Sequence, residues 1–210
     1  MRAMKIGIIG AGHIGGTMAH LLVAAGHDVA ISNSRGPETL QPLVAELGER
    51  ARAATAEEAA AFGEVVLLAT PLKEYTSLPV RELRGKIAID AMNYYPNRDG
   101  HYDQLDAGTL GSSELVAAHL PETRIVKAFN TIWFEHLKKQ GDTSKAIGDR
   151  RAIFIAGDDA EAKGVVTQLI ESIGFGAFDM GSLAGGRKQQ PDTAVYNREL
   201  TVEQAKSVAP

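Results

Sequence analysis

The chain has 210 residues, of which 44% are hydrophobic and 23% are charged, and its formal net charge is −4. This length and composition predict one globular domain with at most a small appendage. The negative charge, with no basic run, excludes nucleic acid as a general partner, and the lack of cysteine excludes disulfides, thiolate metal sites and cysteine nucleophiles.

The longest apolar runs, such as residues 65–69, are far too short to span a bilayer. The first apolar run begins almost at the N-terminus, so we expect no signal peptide and no membrane segment. A cytoplasmic location is the resulting expectation.

Short apolar runs alternate with helical patterns along the chain, which predicts an α/β fold with a doubly wound, mainly parallel sheet. The predicted strands are residues 4–9, 28–32, 51–54, 64–69, 86–90, 124–129, 151–156 and 176–179. Residues 1–180 form the predicted dinucleotide-binding Rossmann domain. Residues 181–210 are predicted to be a loop and short helix that belong to the same domain.

The first predicted strand runs directly into a glycine-rich turn and then an amphipathic helix. The turn has the GxGxxG pattern of a dinucleotide site and consists of Gly10, Ala11, Gly12, His13, Ile14 and Gly15. The first glycine permits the tight turn, the second lets a pyrophosphate approach the helix N-terminus, and the third lets the helix pack on the strand. His13 is expected near the pyrophosphate.

The second predicted strand ends in Asn33, Ser34 and Arg35, with no acid at the position where an NAD site would have one. Asn33 and Ser34 are neutral donors, and the Arg35 guanidinium matches the oxygens of a phosphate. The sequence therefore favours NADP over NAD.

In a doubly wound sheet the ligand lies at the carboxyl ends of the strands, where strand order reverses. We expect Thr70-Pro71 and Asn93-Tyr94 to reach this edge together with the two turns above. The stretch after the sixth strand, Asn130-Thr131-Ile132, is expected on the nicotinamide side.

The remaining local predictions concern caps and long polar segments. Ser112 or Ser113 is expected to cap a helix, and Thr201 with Gln204 predicts a capping box and a final helix. The second helix is expected to become regular near Leu40. Residues 94–111 and 181–198 are long polar segments, which are usually functional or mobile.

Several familiar chemistries are missing from the sequence. It has no Tyr-x-x-x-Lys pair, no GxxxxGK loop, no GxSxG turn and no HExxH motif. Asp99, His101, Asp103 and Asp106 cluster, but their spacing misses the calcium-loop pattern, so we predict a solvated loop and no metal site. Either the reaction needs no protein acid or base, or a second subunit supplies one.

Four stretches together resemble the NADPH-dependent F-420 reductase family, which acts on a deazaflavin coenzyme, and the oxidoreductase domain of the membrane metalloreductases. They are residues 7–15, 32–37, 112–115 and 126–132. The resemblance covers roughly residues 4–180. The stretch Ala128-Phe129-Asn130-Thr131-Ile132 is its most discriminating part.

The resemblance implies NADPH in the glycine turn, with Ser34 and Arg35 on its 2′-phosphate and Thr70 and Pro71 against the ribose and nicotinamide. It implies Asn130, Thr131 and Ile132 where nicotinamide meets the acceptor ring, and it implies a homodimer. Asn130 replaces the histidine of the archaeal deazaflavin enzymes, which leaves the acceptor's identity open.

Three functions follow from these patterns. The first is an NADPH-dependent oxidoreductase that transfers hydride between NADP(H) and a flavin-type or deazaflavin acceptor, a small molecule. The second is a dimeric reductase of a small carbonyl or imine, which would need Tyr94, Tyr95 or His101 as acid or base. The third is a non-catalytic NADP-binding regulatory module.

Overall fold

A computed structural model of the chain describes residues 2–208. It contains one eight-stranded sheet in the order β3-β2-β1-β4-β5-β6-β7-β8. The strands are β1 (Lys5–Ile9), β2 (Asp28–Ser32), β3 (Ala51–Ala53), β4 (Val65–Leu68), β5 (Ile87–Asp90), β6 (Arg124–Lys127), β7 (Ala152–Gly157) and β8 (Gly176–Asp179). All eight correspond to the predicted apolar runs, with ends that differ by up to two residues.

Helices cover both faces of this sheet. The helices are α1 (His13–Ala24), α2 (Gln41–Leu47), α3 (Ala56–Phe62), α4 (Val80–Leu83), α5 (Pro96–Asp99), α6 (Asp103–Asp106), α7 (Ser112–His119), α8 (Phe134–Lys139), α9 (Ala160–Ser172) and α10 (Val202–Val208). Short 3-10 helices lie at Pro37–Leu40, Leu72–Ser77, Ile147–Asp149 and Leu183–Gln189. No helix within residues 2–208 is both long and apolar enough to cross a membrane.

The predicted doubly wound, mainly parallel sheet is confirmed, and one strand pair breaks the pattern. Strands β1 to β6 are parallel, whereas β6 and β7 pair antiparallel and β7 and β8 pair parallel. Strands β7 and β8 therefore run opposite to the first six. Gly157, the last residue of β7, pairs with Val126, one residue before the carboxyl end of β6.

The β1 and β4 strands are buried on both faces, as expected for the centre of a parallel sheet. One core lies between the sheet and α1 and α9, and it contains Ile8, Leu22 and Ile170. A second core lies on the other face and contains Leu68 and Val116. Apolar burial on both faces fixes the strand register and hence the positions of the loops at the carboxyl edge.

The predicted cap of α7 is wrong, while two other local predictions are confirmed. Gly111 is the N-cap of α7, and the hydroxyls of Ser112 and Ser113 are used inside the protein instead. The second helix does become regular after Leu40. The capping box of α10 is present, because Gln204 N–H donates to Thr201 Oγ1 at 3.2 Å and Thr201 N–H donates to Gln204 Oε1 at 2.9 Å.

Candidate active site

A cleft of about 600 Å³ lies at the carboxyl ends of β1, β2 and β4. It brings together eight of the predicted cofactor residues, namely Gly10, Ala11, Gly12, Asn33, Ser34, Arg35, Thr70 and Pro71. Its outer wall is the 3-10 helix Leu72–Ser77, which contributes Lys73 and Glu74 and which no sequence pattern had marked. The cleft lies at the switch point of the sheet, where a doubly wound fold binds its ligand.

The three glycines of the turn meet different constraints. Gly10 has a φ of +106°, and an added Cβ there would lie 2.5 Å from the Ala69 carbonyl oxygen. A Cβ at Gly15 would lie 1.8 Å from the Gly10 oxygen, whereas one at Gly12 would meet nothing within 4 Å. The fold itself therefore requires glycine at positions 10 and 15, and Gly12 leaves open space at the start of α1 for a ligand.

The turn after β2 is held by its first residue. The Asn33 Oδ1 atom accepts a hydrogen bond from the Arg35 backbone N–H at 2.9 Å, and Asn33 Nδ2 donates to Thr39 Oγ1 at 2.9 Å. Ser34 and Arg35 are exposed at the tip of this turn. Asn33 therefore positions the turn, and Ser34 and Arg35 are the donors that can reach a phosphate.

The side chains of His13 and Ile14, which follow Gly12, line different pockets. The His13 ring stacks on Phe134, with centroids 4.2 Å apart and planes 14° apart. His13 lines a separate groove beside α1, while Ile14 lines a smaller cavity next to the cleft.

This second cavity, of about 170 Å³, lies at the carboxyl ends of β5 and β6. Two amide side chains, Asn93 and Asn130, fix its wall. Asn130 Nδ2 donates to Asn93 Oδ1 at 3.0 Å, and Asn93 Nδ2 donates to the Asn130 carbonyl oxygen at 2.8 Å. The loops after two neighbouring strands are thereby tied to each other at the predicted nicotinamide side.

One polar atom in this wall has no partner. Asn130 is only 4% exposed, and its Oδ1 atom is buried without a hydrogen bond in the described part of the chain. A buried acceptor of this kind is costly unless a ligand or water satisfies it. The carboxamide N–H of a nicotinamide would supply the missing donor, so the residues present fit the dinucleotide that the turn predicts. When bound, NADPH supplies a hydride from its nicotinamide ring.

Tyr94 was predicted on the substrate side, but its side chain lies elsewhere. Its hydroxyl donates to Asp106 Oδ1 at 2.6 Å and accepts from the Tyr102 N–H at 3.2 Å, so the ring belongs to the folded segment around α5 and α6. Burial, with the Asp106 contact, raises the pKa of the Tyr94 hydroxyl. His101 pairs with Asp106 on the surface. Tyr95 is therefore the one acid or base predicted from sequence that lines the cavity.

Thr131 and Ile132 follow Asn130 and serve different purposes. Ile132 lines the cavity, whereas Thr131 is buried and its carbonyl oxygen accepts a hydrogen bond from the Asn197 N–H at 3.0 Å. This bond attaches the C-terminal segment to the turn after β6.

Residues 181–198 pack beside the cavity and contribute two of its lining residues. Within this segment the 3-10 helix Leu183–Gln189 lies against β7, and the Gln189 carbonyl oxygen accepts a hydrogen bond from Asn130 Nδ2 at 2.6 Å. Further on, Tyr196 and Asn197 line the cavity itself. The sequence marked this segment as long and polar but did not single out Tyr196, because an isolated tyrosine in a loop has no periodic signal.

A buried charged network supports the two asparagine loops from below. Lys127 at the end of β6 donates to Ser113 Oγ at 3.0 Å, to Ser112 Oγ at 3.1 Å and to the Met92 carbonyl oxygen at 3.3 Å. Ser113 in turn donates to Asp90 Oδ2 at 2.5 Å. Burial lowers the pKa of the Lys127 ammonium, and the Asp90 carboxylate opposes that shift. All three ammonium protons have an acceptor, which is what a buried charge requires.

Comparison with known proteins identifies the relatives of this site. Residues 5–94 match the family described as NADP oxidoreductase, coenzyme F420-dependent. A protein from Arthrobacter sp. FB24, provisionally described as an F420-dependent NADP reductase, is 28% identical over 88% of each chain, with a TM-score of 0.74. Residues 5–94 therefore resemble this family of NADP oxidoreductases. The resemblance predicted from the sequence is thereby confirmed.

Two further relatives extend the match beyond residue 94. A hypothetical protein from Sinorhizobium meliloti is 30% identical, the alignment covers 95% of this chain and 96% of that one, and the TM-score is 0.82. Metalloreductase STEAP3 of Rattus norvegicus is 33% identical over 188 residues, which are 89% of this chain and 36% of the relative. The chain thus spans about a third of the length of the curated relatives that it matches.

Proposed function

We propose that this chain transfers hydride between NADP(H) and a flavin-type or deazaflavin acceptor. The observation that carries the proposal is the junction of a dinucleotide cleft, which has no acid in the turn after β2, with a cavity whose wall presents the unpaired Asn130 Oδ1. Thr70 of the cleft wall contacts Met92, which precedes Asn93 of the cavity, at 3.5 Å between Oγ1 and Sδ. The two compartments therefore adjoin.

In this proposal the residues of the cleft bind and orient the cofactor. The backbone from Gly10 to Gly15 receives the pyrophosphate at the start of α1, and Ser34 and Arg35 bind the 2′-phosphate. Thr70 and Pro71 lie along the ribose. Asn93 and Asn130 fix the nicotinamide so that one face of its ring is open to an acceptor, which is the positioning that hydride transfer needs.

The acceptor is the finer part of the proposal, and an anaerobic assay tests it. NADPH oxidation is followed with FMN, riboflavin, coenzyme F420 and a ferric chelate, and NADH is run in parallel. NADPH-selective reduction of one ring compound is the expected result. Tight NADPH binding without turnover on any ring compound contradicts it and favours the regulatory module.

A reductase of a small carbonyl or imine remains a second candidate, because Tyr95 provides a hydroxyl in the cavity. Turnover of small ketones or cyclic imines, with none on ring acceptors, would favour it.

We also propose that the chain acts as a cytoplasmic homodimer with no membrane or nucleic-acid partner. Sedimentation equilibrium at micromolar concentration tests the dimer, and a monomer at all concentrations contradicts it.

A further inference from the structure

We propose that Tyr95 and Tyr196 form a hydrogen-bond donor pair that serves the electron acceptor, and that the acceptor is a conjugated ring with a carbonyl or imine edge rather than a metal chelate. This inference rests on the proposed function and deepens it. The two residues are 101 positions apart in the sequence, yet their hydroxyls are in hydrogen-bond contact and both rings line the cavity beside Asn93 and Asn130.

The number of protons in the pair leaves one for a ligand. A tyrosine hydroxyl carries one proton, so a contact between two hydroxyls uses one proton and leaves the other free to donate. Either hydroxyl can donate within the pair, so one of the two protons stays available to a ligand. The proposed step needs the arrangement in which Tyr196 donates and the Tyr95 hydroxyl has the free proton.

An arginine packs on the Tyr95 ring and contacts the loop that carries Asn93. The Arg98 guanidinium carbon lies 4.8 Å from the centre of the Tyr95 ring, and Arg98 is fixed there because it donates to the Asn93 carbonyl oxygen at 2.7 Å. Arg98 Nε also donates to Asp99 Oδ1 at 2.8 Å, so the guanidinium is held between the Asp99 carboxylate, the Asn93 carbonyl oxygen and the Tyr95 ring. The same arginine thus connects the donor pair to the loop that carries Asn93.

The proposed step needs such a donor. The acceptor gains a hydride, and the dihydronicotinamide that loses it is oxidised to NADP⁺. The electron pair that arrives with the hydride ends on an oxygen or nitrogen of the conjugated ring. The Tyr95 O–H bond breaks as a new bond forms between its proton and that atom, and the tyrosine oxygen recovers a proton through Tyr196 or from water, since both rings are only partly buried. A metal chelate takes up electrons without a proton and has no use for this pair.

The kinetic test compares four proteins in anaerobic single turnovers of NADPH with FMN: the unaltered chain, Tyr95→Phe, Tyr196→Phe, and Tyr75→Phe as a matched control. Tyr75 lies in the 3-10 helix Leu72–Ser77, and its ring packs on Tyr102 away from the cavity. Loss of one donor to developing charge lowers a rate by about a hundredfold to a thousandfold. We expect this for Tyr95→Phe, a smaller loss for Tyr196→Phe, none for Tyr75→Phe, and a double variant no slower than Tyr95→Phe.

A binding measurement supplies a second readout that does not depend on turnover. With 2′,5′-ADP in the cleft, oxidised and reduced FMN are titrated separately, and the unaltered chain should bind the reduced form, with its extra negative charge, several-fold more tightly. Tyr95→Phe should lose this preference while its affinity for oxidised FMN stays within twofold. A merely structural role would change both affinities together.

The outcomes separate this inference from the proposed function. If the unaltered chain reduces no ring acceptor, the proposed function fails and the donor pair falls with it. If it reduces FMN and Tyr95→Phe does so equally fast with the same binding preference, the donor pair alone is overturned.

Discussion

Arg35 is a single residue on which the choice between two cofactors depends. It is exposed at the tip of the turn that Asn33 holds, and no other arginine lines the cleft in residues 2–208. Its guanidinium can make charge-assisted hydrogen bonds to a 2′-phosphate, which NADH lacks. The cofactor preference should therefore depend on this side chain rather than on the shape of the cleft.

We predict that Arg35→Ala weakens NADPH binding by about 1.5–3 kcal/mol, the value of a hydrogen bond to a charged group, and leaves NADH binding unchanged. Fluorescence titration of both nucleotides measures this, with Arg84→Ala as a control on an exposed arginine that pairs with Glu122 outside the cleft. An equal loss of affinity for NADPH and NADH would show that Arg35 does not bind the 2′-phosphate.

Lys127 is a buried lysine, so its charge needs hydrogen-bond acceptors and a counter-charge inside the protein. We predict that Lys127→Met lowers the free energy of unfolding by about 3–5 kcal/mol, because it leaves the Asp90 carboxylate buried without its cation. Urea denaturation measures the change. The double variant with Asp90→Asn should lose less than the sum of the two single variants, and simple additivity would contradict the coupling.

The same residues show what sequence can and cannot supply. The positions of Gly10 and Arg35 in the cleft were predictable because spacing within one strand–helix–strand unit sets them. Lys127 was not, because its partners come from β5 and α7 and no local pattern connects them. Tyr94 and Tyr95 are adjacent and chemically alike, and only the folded path of residues 94–106 decides which of them faces the cavity.

At the scale of one element, two glycines at the start of α1 have different roles. Gly15 is needed for folding, and Gly12 is needed for cofactor binding. Gly15 is enclosed by backbone, whereas Gly12 has open space around it and a backbone conformation, φ −77° and ψ −162°, that alanine can adopt. A methyl group at Gly12 would therefore occupy only the space a pyrophosphate needs.

We predict that Gly12→Ala changes the free energy of unfolding by less than about 0.5 kcal/mol and yet weakens NADPH binding by at least about tenfold. Gly15→Ala should instead destabilise the fold by more than about 2 kcal/mol, because its Cβ meets the Gly10 oxygen. Urea melts and nucleotide titrations of the two variants, done side by side, check both. Equal stability of the two proteins would rule out this division of roles.

The elements themselves were largely predictable, since every strand has an apolar run and α9 has a regular apolar stripe. The sequence did not indicate in which direction each strand runs. The reversal at β7 and the docking of the 3-10 helix Leu183–Gln189 arise from tertiary packing, because a strand has the same pattern whichever way it runs. The predicted cap of α7 was wrong for a related reason, because Lys127 of β6 donates hydrogen bonds to both serine hydroxyls.

At the scale of the whole molecule, the cofactor should act as a stabilising ligand. NADPH that binds only the folded chain at about 100 times its Kd adds roughly 2.7 kcal/mol to the free energy of unfolding. For a chain of this size each kcal/mol corresponds to about 2–4 °C in Tm. We predict a rise of about 5–10 °C in a calorimetric scan with saturating NADPH, and a clearly smaller rise with NADH at equal concentration or in Arg35→Ala. Equal shifts for the two nucleotides would contradict the cofactor assignment.

Because β7 and β8 run opposite to the first six strands, the chain that leaves β8 points away from the carboxyl ends of those strands and turns back along β7 to reach Asn130. The two halves of the proposed site thus come from different stretches of chain. The dinucleotide cleft lies within residues 5–94, which the family model matches, and Tyr196 lies well outside them. A lineage could exchange its returning C-terminal segment, and with it the electron acceptor, while its choice of nucleotide stayed the same. Relatives that share a cofactor can on these grounds diverge in the compound they reduce.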